Sequence, residues 1–183
     1  MSDALAVREV MARYVRAADH RNPEAMAGLF TEEGRVEILY DKDGGETLLG
    51  VLEGREAIAD AVRHMMAPHA PRAWSHHTTH DAIVEIDGER ATLDAQFIVF
   101  SVQGAKEPSS GWPAGAFGAQ GTITPIESGY YRPELRKTEE GWRITRLRIL
   151  HDLPMALPRG EQRGCSSLQA APVIGGRFRA ANW

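Results

Sequence analysis

The chain has 183 residues, 43% hydrophobic and 25% charged, with a net charge of −4 at pH 7. That length fits one domain or at most two small ones, and the composition is ordinary for a protein with a packed core. A mildly acidic chain argues against a phosphate-backbone partner, the single Cys165 excludes an intrachain disulfide and a thiolate metal cluster, and no apolar run approaches the ~18 residues of a membrane span.

Residues 4–20 predict an amphipathic helix, with Val7, Val10, Met11, Tyr14 and Ala18 at three- and four-residue spacing. Asn22-Pro23-Glu24 reads as an N-cap, an N1 proline and a first-turn acid, opening a short helix through Phe30. Gly34 is expected to end that segment. Residues 35–40 alternate, with Val36, Ile38 and Tyr40 on one side of a strand. A turn at 41–45 leads to a second strand over 46–52. Residues 54–67 predict a helix that Pro68 stops.

The second half reads as β. A strand near 74–86 meets the hairpin signal Asp87-Gly88, and its partner runs roughly 90–103. Residues 104–121 are rich in Gly, Pro, Ser and Ala, as in a long loop or pocket flap. Strands near 122–136 and 142–151 turn at Glu139-Glu140-Gly141. The tail from Leu153 is weakly patterned, and Phe178 and Trp183 suggest that it packs on its own or a neighbouring subunit. Helices gathered early and strands late give an α+β fold.

Arg143, Arg146 and Arg148 are the nearest approach to a basic cluster. Arg146 and Arg148 share one strand face, which reads as a solvated face, with a substrate-anion contact as the alternative. Three of the seven histidines crowd into Ser75-His76-His77-Thr78-Thr79-His80-Asp81. On a regular strand His76 and His80 share one face, and His77, Thr79 and Asp81 the other. His76 and His80 would stand ~13 Å apart, too far to share one ion at ~2 Å. No metal site is therefore expected, and no organic cofactor either, since no glycine-rich phosphate loop is present. Tyr14 and Asp19 fall near the end of the first helix. Five positions apart is about 140° around an ideal helix, so they converge only if the helix ends or tightens near Ala18.

Through these residues the chain resembles a SnoaL-like member of the nuclear-transport-factor-2-like superfamily, the fold of scytalone dehydratase and bile acid 7α-dehydratase. The pieces are Tyr14 through Asp19, Leu29 through Gly34, Gly54-Arg55-Glu56-Ala57-Ile58, His77 through Gly88, Gly129-Tyr130-Tyr131, and Gly141-Trp142-Arg143-Ile144. The resemblance implies a cone-shaped, curved, mostly antiparallel sheet with three helices on its concave face, over residues 1–152, with 153–183 as a tail outside it. It also implies a catalytic set in which a tyrosine and an aspartate of the first helix act with a histidine of the third strand. Tyr14, Asp19 and His77 match that pattern. Asp81 stands where related sequences often carry asparagine. His151 stands where the bile acid enzyme uses an arginine.

The expected function is a cofactor-independent lyase or isomerase, dehydratase-like, acting on a small cyclic hydroxylated or ketonic substrate. His77 would be the general acid or base, Asp19 its orienting charge, and Tyr14 a hydrogen-bond donor to the reacting oxygen. Tyr40, Asp81, Phe97, Trp112, Tyr131 and His151 are the candidate substrate contacts. The rivals are a non-catalytic binding protein and a small subunit of a multicomponent ring-hydroxylating oxygenase. The expected partners are a small molecule and further copies of the chain in a homodimer or higher oligomer, with no nucleic acid and no membrane. With no signal-peptide pattern at Met1-Ser2-Asp3-Ala4-Leu5, the expected location is the cytoplasm. Ile98, Phe100 and Ile149 are candidates for the convex, subunit-facing side, depending on the hairpin register. One point stays open: a two-residue turn at Asp87-Gly88 aligns the apolar face Leu93, Ala95, Phe97 and Val99 with His76 and His80, whereas a three-residue turn aligns it with His77.

Overall fold

Ser2 opens the first helix, its side chain accepting from the Leu5 amide, and α1 runs Asp3–Asp19. The computed structural model describes residues 2–154, so the expectation for the tail falls largely outside the described residues. Val7, Val10, Met11, Tyr14, Val15 and Ala18 form the buried stripe of α1. Each fully buried aliphatic side chain of this kind contributes about 1.5–3 kcal/mol.

The helix ends in a paired cap. Asn22 N–H donates to Ala17 O and Arg21 N–H to Ala18 O, with Arg21 left-handed at φ 52°. That is the Schellman arrangement, with arginine where glycine is usual. Asn22 then caps α2 (Pro23–Ala27) by accepting from the Ala25 amide at 2.9 Å.

β1 spans Phe30–Lys42 and begins well before residue 35. Gly34 does not end a segment; it lies inside β1. A Cβ there would meet Phe30 Cβ at 2.8 Å, so its missing side chain lets the irregular stretch between Phe30 and Arg35 close on itself. β2 (Gly45–Glu53) pairs back on β1, and α3 follows as Arg55–His64, three residues short of the expected end. The Arg55 guanidinium holds Phe30 O with two hydrogen bonds, at 3.1 and 2.8 Å. Then come β3 (Ala73–Asp87), β4 (Arg90–Gly104), β5 (Gly121–Thr138) and β6 (Gly141–His151).

The six strands form one sheet in the order β2-β1-β6-β5-β4-β3. β1 and β6 run parallel and the other neighbours antiparallel. The core fills the concave face. Ala91, Leu93, Ala95, Phe97 and Val99 supply it from β4 at strict period two, and the buried stripes of α1 and α3 cover it.

Two irregularities set the site. The β3–β4 turn is Gly88-Glu89, with Asp87 opposite Arg90, one residue later than the expected turn. Extended regularly, this pairing would put His77 opposite Phe100, on the outer face. A bulge intervenes between His80 and Ile83, and Asp81 takes φ 53° within it. The bulge moves His77 opposite Val99 and turns it toward the core. It also breaks the expected sharing of one face by His77 and Asp81. Arg8 of α1 donates to Ala82 O at 2.8 Å and ties the bulge to the helix.

The second irregularity is at Gly129 in β5. A Cβ at this position would lie 1.9 Å from Leu150 O and 3.0 Å from a ring carbon of Phe97, so only glycine allows β5 to pass so close to β6.

The convex face carries charge where the helices do not cover it. Glu37 accepts from Arg35 and Arg146, and Arg146 also bonds Glu134. Arg148 bonds Glu46, and Arg132 bonds Glu46 and Asp94. The arginines of β6 that sequence reading left between solvent and substrate are therefore structural partners of carboxylates on neighbouring strands. Ile98 and Phe100 lie half-buried on the side of β4 away from the core, as expected of the convex face. Ile149 does not; it packs against the core, because β6 turns His151, Ile149 and Leu147 inward together. Among the described residues, no helix is long and apolar enough to cross a membrane.

Candidate active site

Asp19 is the last helical residue of α1, and its side chain is 5% exposed. A carboxylate at a helix C-terminus opposes the dipole and needs compensation. β3 supplies it. The His77 amide donates to Oδ1 at 3.1 Å and to Oδ2 at 3.2 Å, and the His77 ring places Nδ1 2.6 Å from Oδ1. In the neutral ring, Nδ1–H given to Asp19 leaves the lone pair on Nε2, which has no partner among the described residues. The His77 side chain is 13% exposed. His69 braces the same helix end, with Nε2 2.8 Å from Asp19 O. Arg21 donates to Ala18 O at 2.6 Å and to Ala67 O at 3.3 Å, which fixes the turn that ends α1 at Asp19.

Tyr14 lies one turn earlier, 8% exposed, with its ring edge-on to Tyr131 at 5.5 Å. Tyr131 stacks on Phe97 at 4.2 Å, and Phe97 meets the His151 ring edge-on at 5.6 Å. Neither phenol makes a hydrogen bond within the described residues. Burial holds both phenols well above the usual tyrosine range, and for Tyr131 the nearby Tyr14, Glu127 and Asp19 add to this. Both therefore stay protonated donors at neutral pH. His151 is 6% exposed, and burial lowers its pKa, so the imidazole is neutral near pH 7. Its Nδ1 sits 3.9 Å from Glu127 Oε2, and His77 lies within electrostatic reach.

The structure thus gathers Tyr14, Asp19, His77, Phe97, Tyr131 and His151 into one cluster at the end of α1. Tyr40 stands beside His151 in the β1–β6 pairing, half-buried. Two candidates fall elsewhere. Asp81 is exposed in the bulge and bonds His80 at 3.1 Å, and Trp112 is in the 105–120 loop, 41% exposed. Three contributors escaped the sequence reading. Glu127 sits two positions before Gly129 and four before Tyr131, so strand alternation alone placed it on their face. Ser75, 9% exposed with an unpartnered Oγ, shares the His77 face by the same rule. His69 comes from the α3–β3 connection and had no pattern to announce it.

A hollow of about 830 Å³ opens between α1, α2 and the 140–143 turn, but none of these residues lines it. Its wall mixes Glu9, Arg13, Arg16 and His20 with Val10, Ala17, Leu29 and Trp142, and Glu9 is held by Arg13 on an exposed surface, with no buried carboxylate–imidazole pair among the lining residues. Chemistry favours the His77 cluster. Among the described residues, no three His, Cys, Asp or Glu side chains are placed to hold one metal ion.

The model of the SnoaL-like domain matches residues 1–148. The chain belongs to the SnoaL-like family. Solved structures agree on the nuclear-transport-factor-2-like, cystatin-like fold. A protein of unknown function from Mycobacterium tuberculosis is 27% identical, with TM-score 0.57 over 81% of this chain and 70% of that one. The beta subunit of a candidate aromatic-ring-hydroxylating dioxygenase from Novosphingobium aromaticivorans is 15% identical, with TM-score 0.61 over 83% and 90%. A candidate scytalone dehydratase from the same organism is 15% identical, with TM-score 0.56 over 87% and 93%. At such identities the last two speak for the fold alone. No curated protein matches the sequence.

Proposed function

We propose that this SnoaL-like protein is a cofactor-independent lyase that removes water from a small cyclic β-hydroxy ketone. The observation that carries the reading is the His77–Asp19 pair, with Nδ1 2.6 Å from Oδ1 and Nε2 free. A buried carboxylate that orients one ring nitrogen makes the other a competent base.

In the reaction, His77 Nε2 takes the proton from the carbon next to the carbonyl. Charge moves onto the carbonyl oxygen, where the Tyr14 and Tyr131 phenols donate hydrogen bonds; burial keeps them protonated. The enolate then re-forms the carbonyl, a carbon–carbon double bond appears, and the β carbon–oxygen bond breaks. The proton held by His77 leaves with that oxygen as water. Phe97 is 1% exposed and Tyr131 3%, so the ring walls exclude solvent from the reacting carbon.

A panel of hydroxylated cyclic ketones tests the reading, followed by the absorbance of the conjugated enone. Turnover that disappears in His77→Ala with an unchanged fold supports it. Binding of the panel without turnover in the wild type makes the protein a ligand-binding member of the family instead.

A further inference from the structure

We propose that Glu127 makes this site selective against anions, so that its substrate is an uncharged cyclic alcohol or ketone. The inference rests on the lyase reading of the same cluster and names its substrate class.

Glu127 and His77 belong to one row of the sheet. His77 stands opposite Val99 on β4, and Val99 stands opposite Glu127 on β5. The Glu127 side chain is 38% exposed, and with His77 it forms the solvent-facing edge of a cluster whose other members are almost fully enclosed. A ligand approaching His77 therefore passes a carboxylate. The nearest basic atom to that carboxylate is His151 Nδ1 at 3.9 Å, too long for a hydrogen bond. The second carboxylate, Asp19, lies deeper and is held by His77.

The strand arginines that could offset Glu127 are committed elsewhere. Arg132, Arg146 and Arg148 are ion-paired to Asp94, Glu37, Glu134 and Glu46 on the convex face. Arg21 gives its hydrogen bonds to two backbone carbonyls, and its charge acts on Asp19, the deeper acid, rather than on Glu127. The donors left for a ligand are uncharged, the Tyr14 and Tyr131 phenols, the Ser75 hydroxyl and the His151 ring, and they suit a carbonyl or hydroxyl oxygen. An anionic head group would meet repulsion with no counter-charge, whereas an uncharged oxygen would meet these donors.

Three probes of one shape separate the alternatives: 2-naphthol, 2-naphthoate and 2-naphthylmethylamine, uncharged, anionic and cationic at pH 7. Dissociation constants are measured by calorimetry on the full chain. The wild type should bind 2-naphthol about tenfold or more tightly than 2-naphthoate. Glu127→Gln should tighten 2-naphthoate severalfold and leave 2-naphthol within about twofold. Glu140→Gln, which removes the same charge from the distant β5–β6 turn, should leave the ratio unchanged. Equal binding of naphthol and naphthoate by the wild type, or an unchanged ratio in Glu127→Gln, overturns the inference and leaves the lyase reading standing. Tighter binding of the amine than of naphthol would keep the exclusion of anions but overturn the uncharged substrate class, because the carboxylate would then be recognising a cation. Failure of all three to bind sinks the site itself and the inference with it.

Discussion

The two faces of the sheet handle polar groups in opposite ways. On the convex face, Glu37 has Arg35 and Arg146 as hydrogen-bond partners, with Arg148 Nε 3.7 Å away and buried without a hydrogen bond of its own, and the neighbouring carboxylates are similarly paired. On the concave face, polar groups are fewer, more deeply buried and incompletely partnered. His77 Nε2, the Tyr14 and Tyr131 hydroxyls and Ser75 Oγ have no protein partner among the described residues. Of these, Ser75 Oγ is fully buried, and a buried polar group without a partner costs about 1–3 kcal/mol. Networks that satisfy themselves hold a fold together, and groups left incomplete are where a ligand completes them. The arginines of β6 belong to the first kind of network and not to the proposed site, although the same strand ends in His151.

The sharpest break of this contrast is at Asp19. Asp19→Asn presents an amide to His77 Nδ1 and favours the tautomer with the proton on Nε2, so turnover should fall about 10²–10⁴-fold. Steady-state kinetics beside circular dichroism checks that the loss is chemical. Gly129→Ala acts on both faces, since the new Cβ falls 1.9 Å from Leu150 O. We expect a loss of about 2–4 kcal/mol in denaturant unfolding, with weaker ligand binding, because His151 lies opposite Gly129.

Glu37 tests the convex face alone. Burial raises its pKa, but the hydrogen bonds from Arg146 and Arg35 outweigh this and leave it below the ordinary value of 4.5. A carboxyl with a depressed folded pKa contributes stability above its unfolded pKa, and that contribution is lost as pH falls through the folded value. Glu37→Gln should therefore cost about 1–2 kcal/mol at pH 7, a figure reduced for the partly exposed arginines, with the gap closing as pH drops below 4.5. Catalysis should be unaffected. His76→Ala and His80→Ala, on the exposed side of β3, should change stability by no more than about 0.5 kcal/mol and leave turnover intact. Activity lost in either one, but kept in His77→Ala, would contradict the facing that the bulge gives these histidines.

Much of this was legible in the sequence. The 3.6-residue stripe of α1 and the period-two run through Leu93, Ala95, Phe97 and Val99 report burial directly, and they fixed the layers. The cap at Asn22-Pro23 was equally plain. The facing of the histidines was not, because it depends on a single inserted residue in β3. An aspartate tolerates a left-handed conformation without announcing it as glycine would. Gly34 misled for the converse reason: its absent side chain serves close packing inside a strand rather than a break. Arg21 at a position usually held by glycine hid the helix end that lets Asp19 reach His77. Ile149 was misplaced because the facing of β6 was not settled by its sequence alone, and Glu127 was passed over although alternation pointed to it.

Nitrogen-15 NMR of histidine-labelled protein, titrated with 2-naphthol, tests the central claim most directly. It reads each ring's tautomer and its response to ligand. The account predicts His77 with its proton on Nδ1 and an unprotonated Nε2 that shifts on binding, His151 shifting with it, and His76 and His80 unmoved. A His77 ring protonated on Nε2 in the free protein, or a titration that moves His76 and His80 while His77 stays still, would contradict it.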